Sequence, residues 1–82
     1  QIQWTGSKVA LTELGFALYH SGAINHGNAS LKMVMRLLQQ VTATDLGDYH
    51  HTSIRLRNRS NPTKFIDKLK NSLLNWMAEL DS

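Results

Sequence analysis

Apolar residues recur at spacings of three and four along most of the chain, the period of helices with one buried face. Residues 8–21 carry Val9, Ala10, Leu11, Leu14, Phe16, Ala17, Leu18 and Tyr19, and only Lys8, Thr12, Glu13 and His20 are clearly polar. A helix apolar on most sides is expected at the centre of the fold. Ser7 or Thr5 can cap its start, and Gly22 suits the left-handed position after its end. Gly15 inside this helix costs roughly 1 kcal/mol against Ala, so a close neighbour is expected there, Trp4 or the third helix. Trp4, in an extended lead-in, is expected to pack on the chain after it.

A second stripe, Leu31, Val34, Met35, Leu38 and Val41, predicts a helix over 29–40 with Asn28 as its cap. The turn before it holds Ile24, Asn25 and Gly27, and Ile24 either plugs the core or forms a very short strand. Asn61-Pro62 predicts a fourth helix start, because Asn caps and Pro at the first helical position needs no N–H. That helix is expected over 62–80, with the stripe Phe65, Ile66, Leu69, Leu73, Trp76, Met77 and Leu80.

Residues 45–59, DLGDYHHTSIRLRNR, begin with acids and end with three arginines in five positions. Read as a helix capped by Asp45 or Thr44 and ending near Asn58, this stretch turns Leu46, Tyr49, Ser53, Ile54 and Leu56 toward one side. His51, Thr52, Arg55, Asn58 and Arg59 fall on another. Residues 52–57 also alternate polar and apolar, the period of a half-buried strand, which would make 60–62 part of a wing hairpin. The helix is preferred, since a strand would reduce the third helix to little more than a turn. The expected fold class is all-α: one small four-helix domain over 1–82 with a helix-turn-helix formed by the second and third helices, a winged helix being its variant.

Composition narrows the function. In 82 residues every element must share one core. There is no cysteine, which removes disulfides and thiolate metal sites. No apolar run approaches the roughly 20 residues that cross a bilayer, so a cytoplasmic location without membrane contact is expected. The chain begins with Gln, and we expect a piece of a longer protein.

The net charge of +3 is unevenly placed. Residues 55–70 hold six basic residues (Arg55, Arg57, Arg59, Lys64, Lys68, Lys70) and one acid, Asp67, against three basic and five acidic residues elsewhere. Such a local positive field suits a phosphate-binding surface. On that reading His51, Thr52, Arg55, Asn58 and Arg59 are base-contact candidates, since arginine can bond guanine through two donors. Arg57, Lys64, Lys68 and Lys70 are phosphate-contact candidates, which position without reading sequence. Lysines near the start of the fourth helix oppose its macrodipole, a cost that a bound anion would remove.

Other chemistry finds little support. His20, His26, His50 and His51 offer no i, i+4 pair, and His50 and His51 point to different faces, with His50 expected to be partly buried. Glu13 is expected to reach solvent or a cation. Tyr49 lacks the surrounding groups a nucleophile needs. No enzyme activity, cofactor, metal or small-molecule substrate is expected. The partner expected is double-stranded DNA, with a homodimer as a further arrangement. The rival reading is a helical module whose basic surface meets an acidic protein.

Several ordered motifs resemble one family. W-T-G-S-K-x-x-L-x-E-L stands at 4–14, G-x-x-N-x-G at 22–27, D-L-G-D-Y at 45–49, R-x-R at 57–59, and T-K-F-x-D-x-L at 63–69. Together they resemble the C-terminal region of the RteC family of Bacteroides-type bacteria. The resemblance implies a transcriptional regulator carried by tetracycline-resistance conjugative elements, acting on excision genes, with a helix-turn-helix or winged-helix DNA-binding region at its C-terminus. Family members tend to be more basic after the third helix, where this chain has Ser60-Asn61-Pro62.

Overall fold

A computed structural model describes residues 2–81. It contains four α-helices: α1 (Lys8–His20), α2 (Leu31–Thr42), α3 (Tyr49–Arg57) and α4 (Lys64–Leu80). One 3-10 turn, Asn25–Gly27, lies between α1 and α2, and there is no strand among the described residues. The fold is therefore all-α, and 52–57 is helix rather than wing.

α1 is the central element. α2, α3 and α4 each pack on it, as its nearly continuous apolar surface requires. Ser7 caps it by accepting the Ala10 N–H at 3.0 Å. Leu11 of α1, Met35 of α2 and Leu46 of the segment after α2 form the core, and Trp4, Leu14, Phe16, Leu31, Leu38 and Tyr49 close around them. Trp4 donates Nε1–H to the Ser7 carbonyl at 2.7 Å and meets Phe65 edge-on at 5.4 Å. The lead-in thus ties the start of α1 to the start of α4.

Gly15 faces α2, not Trp4 or α3. A Cβ there would run into Met35 Sδ and stand 3.1 Å from Leu38 Cδ1. The missing side chain lets α1 and α2 approach closely.

Three helix starts lie later than the sequence pattern indicates. α2 is capped by Ser30, whose hydroxyl accepts the Met33 N–H at 3.1 Å. Asn28 is used instead in the turn, where its N–H donates to the Asn25 carbonyl. α3 is capped by Asp48, whose Oδ1 accepts the His51 N–H at 3.1 Å. Asp45 accepts the Gly47 N–H in a local turn at 2.8 Å, so the first acid shapes the connection and the second starts the helix. α4 starts after Thr63 instead of Asn61. Asn61 Nδ2 and Thr63 Oγ1 both donate to the Asp67 carboxylate, each at 3.1 Å.

Residues 43–48 connect α2 to α3. Ala43 takes a left-handed conformation (φ 51°, ψ 39°) to end α2. Gln39 braces the segment, its side-chain oxygen accepting the Leu46 N–H at 2.8 Å and its carbonyl the Thr44 N–H at 3.1 Å. Leu46 is thereby fixed in the core.

Candidate nucleic-acid interface

Successive residues of α3 are about 100° apart around its axis, and the side packed on α1 is the one centred on Leu56 and Tyr49. Leu56 is buried, and Tyr49, Thr52 and Ser53 are half-buried. His50, His51, Ile54, Arg55, Arg57 and Asn58 are exposed. The outward face therefore has His51, Ile54 and Asn58 along its middle, with Arg55 on one flank and Arg57 on the other.

This differs from the pattern-based assignment at four positions. Ile54 lies on the outward face, 47% exposed, instead of packing with Leu56. His50 is exposed, not partly buried. Thr52 turns inward, and its hydroxyl donates to the Asp48 carbonyl at 3.3 Å. Arg59 lies beyond the end of α3 and is half-buried. Its guanidinium donates to Glu13 Oε1 at 2.9 Å, which confirms that Glu13 reaches a cation. The second carboxylate oxygen, Oε2, accepts the Ile66 N–H at 2.7 Å. Glu13 thus supplies from α1 the acceptor that the first turn of α4 lacks, and its negative charge suits that helix end.

The basic side chains fall into three groups. Arg55 and Arg59 border a shallow depression beside Ser7 and Val9. Arg59, Lys64 and Lys68 border a neighbouring depression of about 260 Å³ beside Gly6, Ser7 and Ala10. The two share Arg59 and Ser7, so Arg55, Arg59, Lys64 and Lys68 gather around the N-terminal end of α1. Lys8 adds an exposed cation in the first turn of that helix. Arg55, Lys64 and Lys68 form no salt bridge among the described residues. Arg57 borders a groove of about 550 Å³ between α1, α3 and the start of α4, with Phe16, Ala17, His20 and Ile66. Lys70 stands apart: it lies more than about 100° around α4 from Lys64 and Lys68.

Ile54 is the residue the period-based assignment missed on this surface. The signal was present, since Ile54 lies about 160° around the helix from Leu56. A methyl-bearing residue between polar ones can contact a thymine methyl group, as Asn58 can bond adenine. Among the described residues no three His, Asp or Glu side chains converge as metal ligands, and no helix is long and apolar enough to cross a membrane.

No curated protein and no solved structure matches the chain. The family model described as RteC protein matches residues 1–81, and on that match, which takes in the lead-in, all four helices and the basic surface, the chain belongs to the RteC family.

Proposed function

We propose that this chain is a DNA-binding domain of a transcriptional regulator, in which α2 and α3 act as a helix-turn-helix pair and α3 enters the major groove. The observation that carries this reading is the pairing of two surfaces. The outward face of α3 has groups that can read base edges, and Arg55, Arg59, Lys64 and Lys68 cluster at its flank around the α1 N-terminus. Backbone N–H groups at a helix start add positive potential to such a cluster. In this proposal His51, Ile54, Arg55 and Asn58 face the bases. Lys64, Lys68 and Lys8 hold phosphates on one side, and Arg57 holds a phosphate on the other. Arg59 contributes part of its charge, because Glu13 neutralises it from beneath. The role on excision genes of a tetracycline-resistance conjugative element is the corresponding biological proposal.

Fluorescence anisotropy on promoter DNA from upstream of such excision genes, against scrambled DNA at two salt concentrations, tests the reading. Four neutralised phosphates predict a loss of about a hundredfold in affinity between roughly 50 and 200 mM salt. Tighter binding to promoter DNA with this salt dependence supports the proposal. Absence of binding to either DNA overturns it for this chain and favours a protein partner for the basic surface.

A further inference from the structure

α4 outlasts the body it packs on. Its first turns bury one side: Phe65 against Trp4, and Ile66 in the groove beside α1. At about 100° per residue, Leu69, Leu73, Trp76, Met77 and Leu80 continue that same side. They are 41%, 52%, 53%, 44% and 67% exposed. Every residue from Lys68 to Asp81 is exposed. The helix thus projects from the domain with its apolar face uncovered.

We propose that this face pairs with the same face of a second copy of the chain, the two α4 helices running antiparallel. Three observations select this occupant. Leu69, Leu73, Trp76 and Leu80 alternate spacings of four and three, the seam of a two-helix pair. The exposed apolar area is on the order of 500 Å² per copy, so a pair covers about 1,000 Å², the lower bound for a specific interface and the size of a weak, reversible one. The helix is also charge-polarised: Lys64, Lys68 and Lys70 outnumber the one acid, Asp67, in its first half, while Glu79 stands in its last turn and Asp81 just after it. Side-by-side parallel copies would bring lysines against lysines. An antiparallel pair sets the basic half of each against the acidic end of the other and opposes the two macrodipoles. Such a face is complementary to itself under a two-fold axis, as a symmetric dimer requires. In that register Leu69 meets Leu80 of the second copy and Leu73 meets Trp76.

The seam residues Leu69, Leu73, Trp76 and Leu80 lie outside the basic cluster, so their substitution tests pairing apart from DNA binding, although Lys64 and Lys68 enter both readings. Sedimentation equilibrium of the 82-residue chain is expected to show a reversible dimer, and the double variant Leu73→Glu/Trp76→Glu to weaken it by at least about tenfold. Both positions are half exposed, so the helical circular dichroism of the variant is expected to persist, and a loss of that signal directs the test to Leu80→Glu, at the helix end. A wild-type chain that stays monomeric at several hundred micromolar overturns the proposal, as does an unchanged dimer in a folded variant. The chain has no cysteine, so cross-linking reads the direction cleanly. Leu69→Cys mixed with Leu80→Cys is expected to form a disulfide between the two variants. Self-linking of Leu80→Cys in preference to the mixed product overturns the antiparallel arrangement.

Discussion

Glu13 and Arg59, 46 positions apart, meet at 2.9 Å with the carboxylate almost wholly buried and the guanidinium about a quarter exposed. The same carboxylate accepts the Ile66 N–H of α4. One acid therefore fixes the beginning of the α3–α4 connection and the start of α4 on the central helix. Removing it strands a partly buried cation and an unsatisfied helix end. With a discount for the solvent that reaches Arg59, Glu13→Ala is expected to destabilise by about 2–3 kcal/mol. Glu13→Gln keeps an acceptor for Ile66 and is expected to cost less. Urea denaturation measures both, and equal stability of the two variants would remove the helix-capping role of the second oxygen.

The Gly15 contact with α2 makes a second prediction. Gly15→Ala gains helix propensity of roughly 1 kcal/mol but pushes against Met35, which is fully buried. Those effects nearly cancel if Met35 can shift. Gly15→Leu cannot be accommodated that way and is expected to destabilise by at least about 2 kcal/mol, since it wedges α1 from α2. Thermal unfolding followed by circular dichroism distinguishes this from the small change expected of a leucine at a solvent-facing helix site.

The number of helices and the central position of α1 were legible because their signals are local: apolar spacing, and Ser7 ahead of an apolar run. Where several capping residues stand close together the sequence offered rivals. Spacing pointed to Asn28 where Ser30 caps and to Asp45 or Thr44 where Asp48 caps, because the cap depends on where Leu31 and Leu46 must sit to reach the core. The Glu13 cap on α4 had no local signal, because its donor lies 53 positions away. In the candidate interface Arg55, His51 and Asn58 were placed outward from spacing alone. Ile54 was drawn inward by its hydrophobicity, although its angular position is outward. Arg59 had the right charge and the wrong surroundings, since the helix ends before it.

Ala43 makes a third test of local physics. It ends α2 in the left-handed region, where a Cβ meets the carbonyl oxygen next along the chain. Glycine adopts that conformation without the clash but loses more freedom on folding. Ala43→Gly is expected to stabilise by about 0.5–1 kcal/mol, a rise of a few degrees in Tm for a domain of this size. A fall in Tm would mean that the Ala43 side chain makes a contact worth more than the strain.

The sharpest test of the interface separates reading from positioning. Arg55 stands on the outward flank of α3, whereas Lys68 stands on α4 beside the depression shared with Arg59 and Lys64. If Arg55 reaches a base edge, Arg55→Ala is expected to cost about 1–3 kcal/mol on cognate DNA and much less on scrambled DNA. Lys68→Ala is expected to weaken both about equally and to lower the salt slope by about one unit. Ile54→Ala should relax preference at a single base-pair position if its methyl groups meet thymine. Arg59→Ala must be judged on stability first, because the loss of its bond leaves Glu13 buried without its cation. Equal losses on cognate and scrambled DNA for Arg55→Ala and Ile54→Ala would make α3 a phosphate-binding element and place sequence reading elsewhere on the protein.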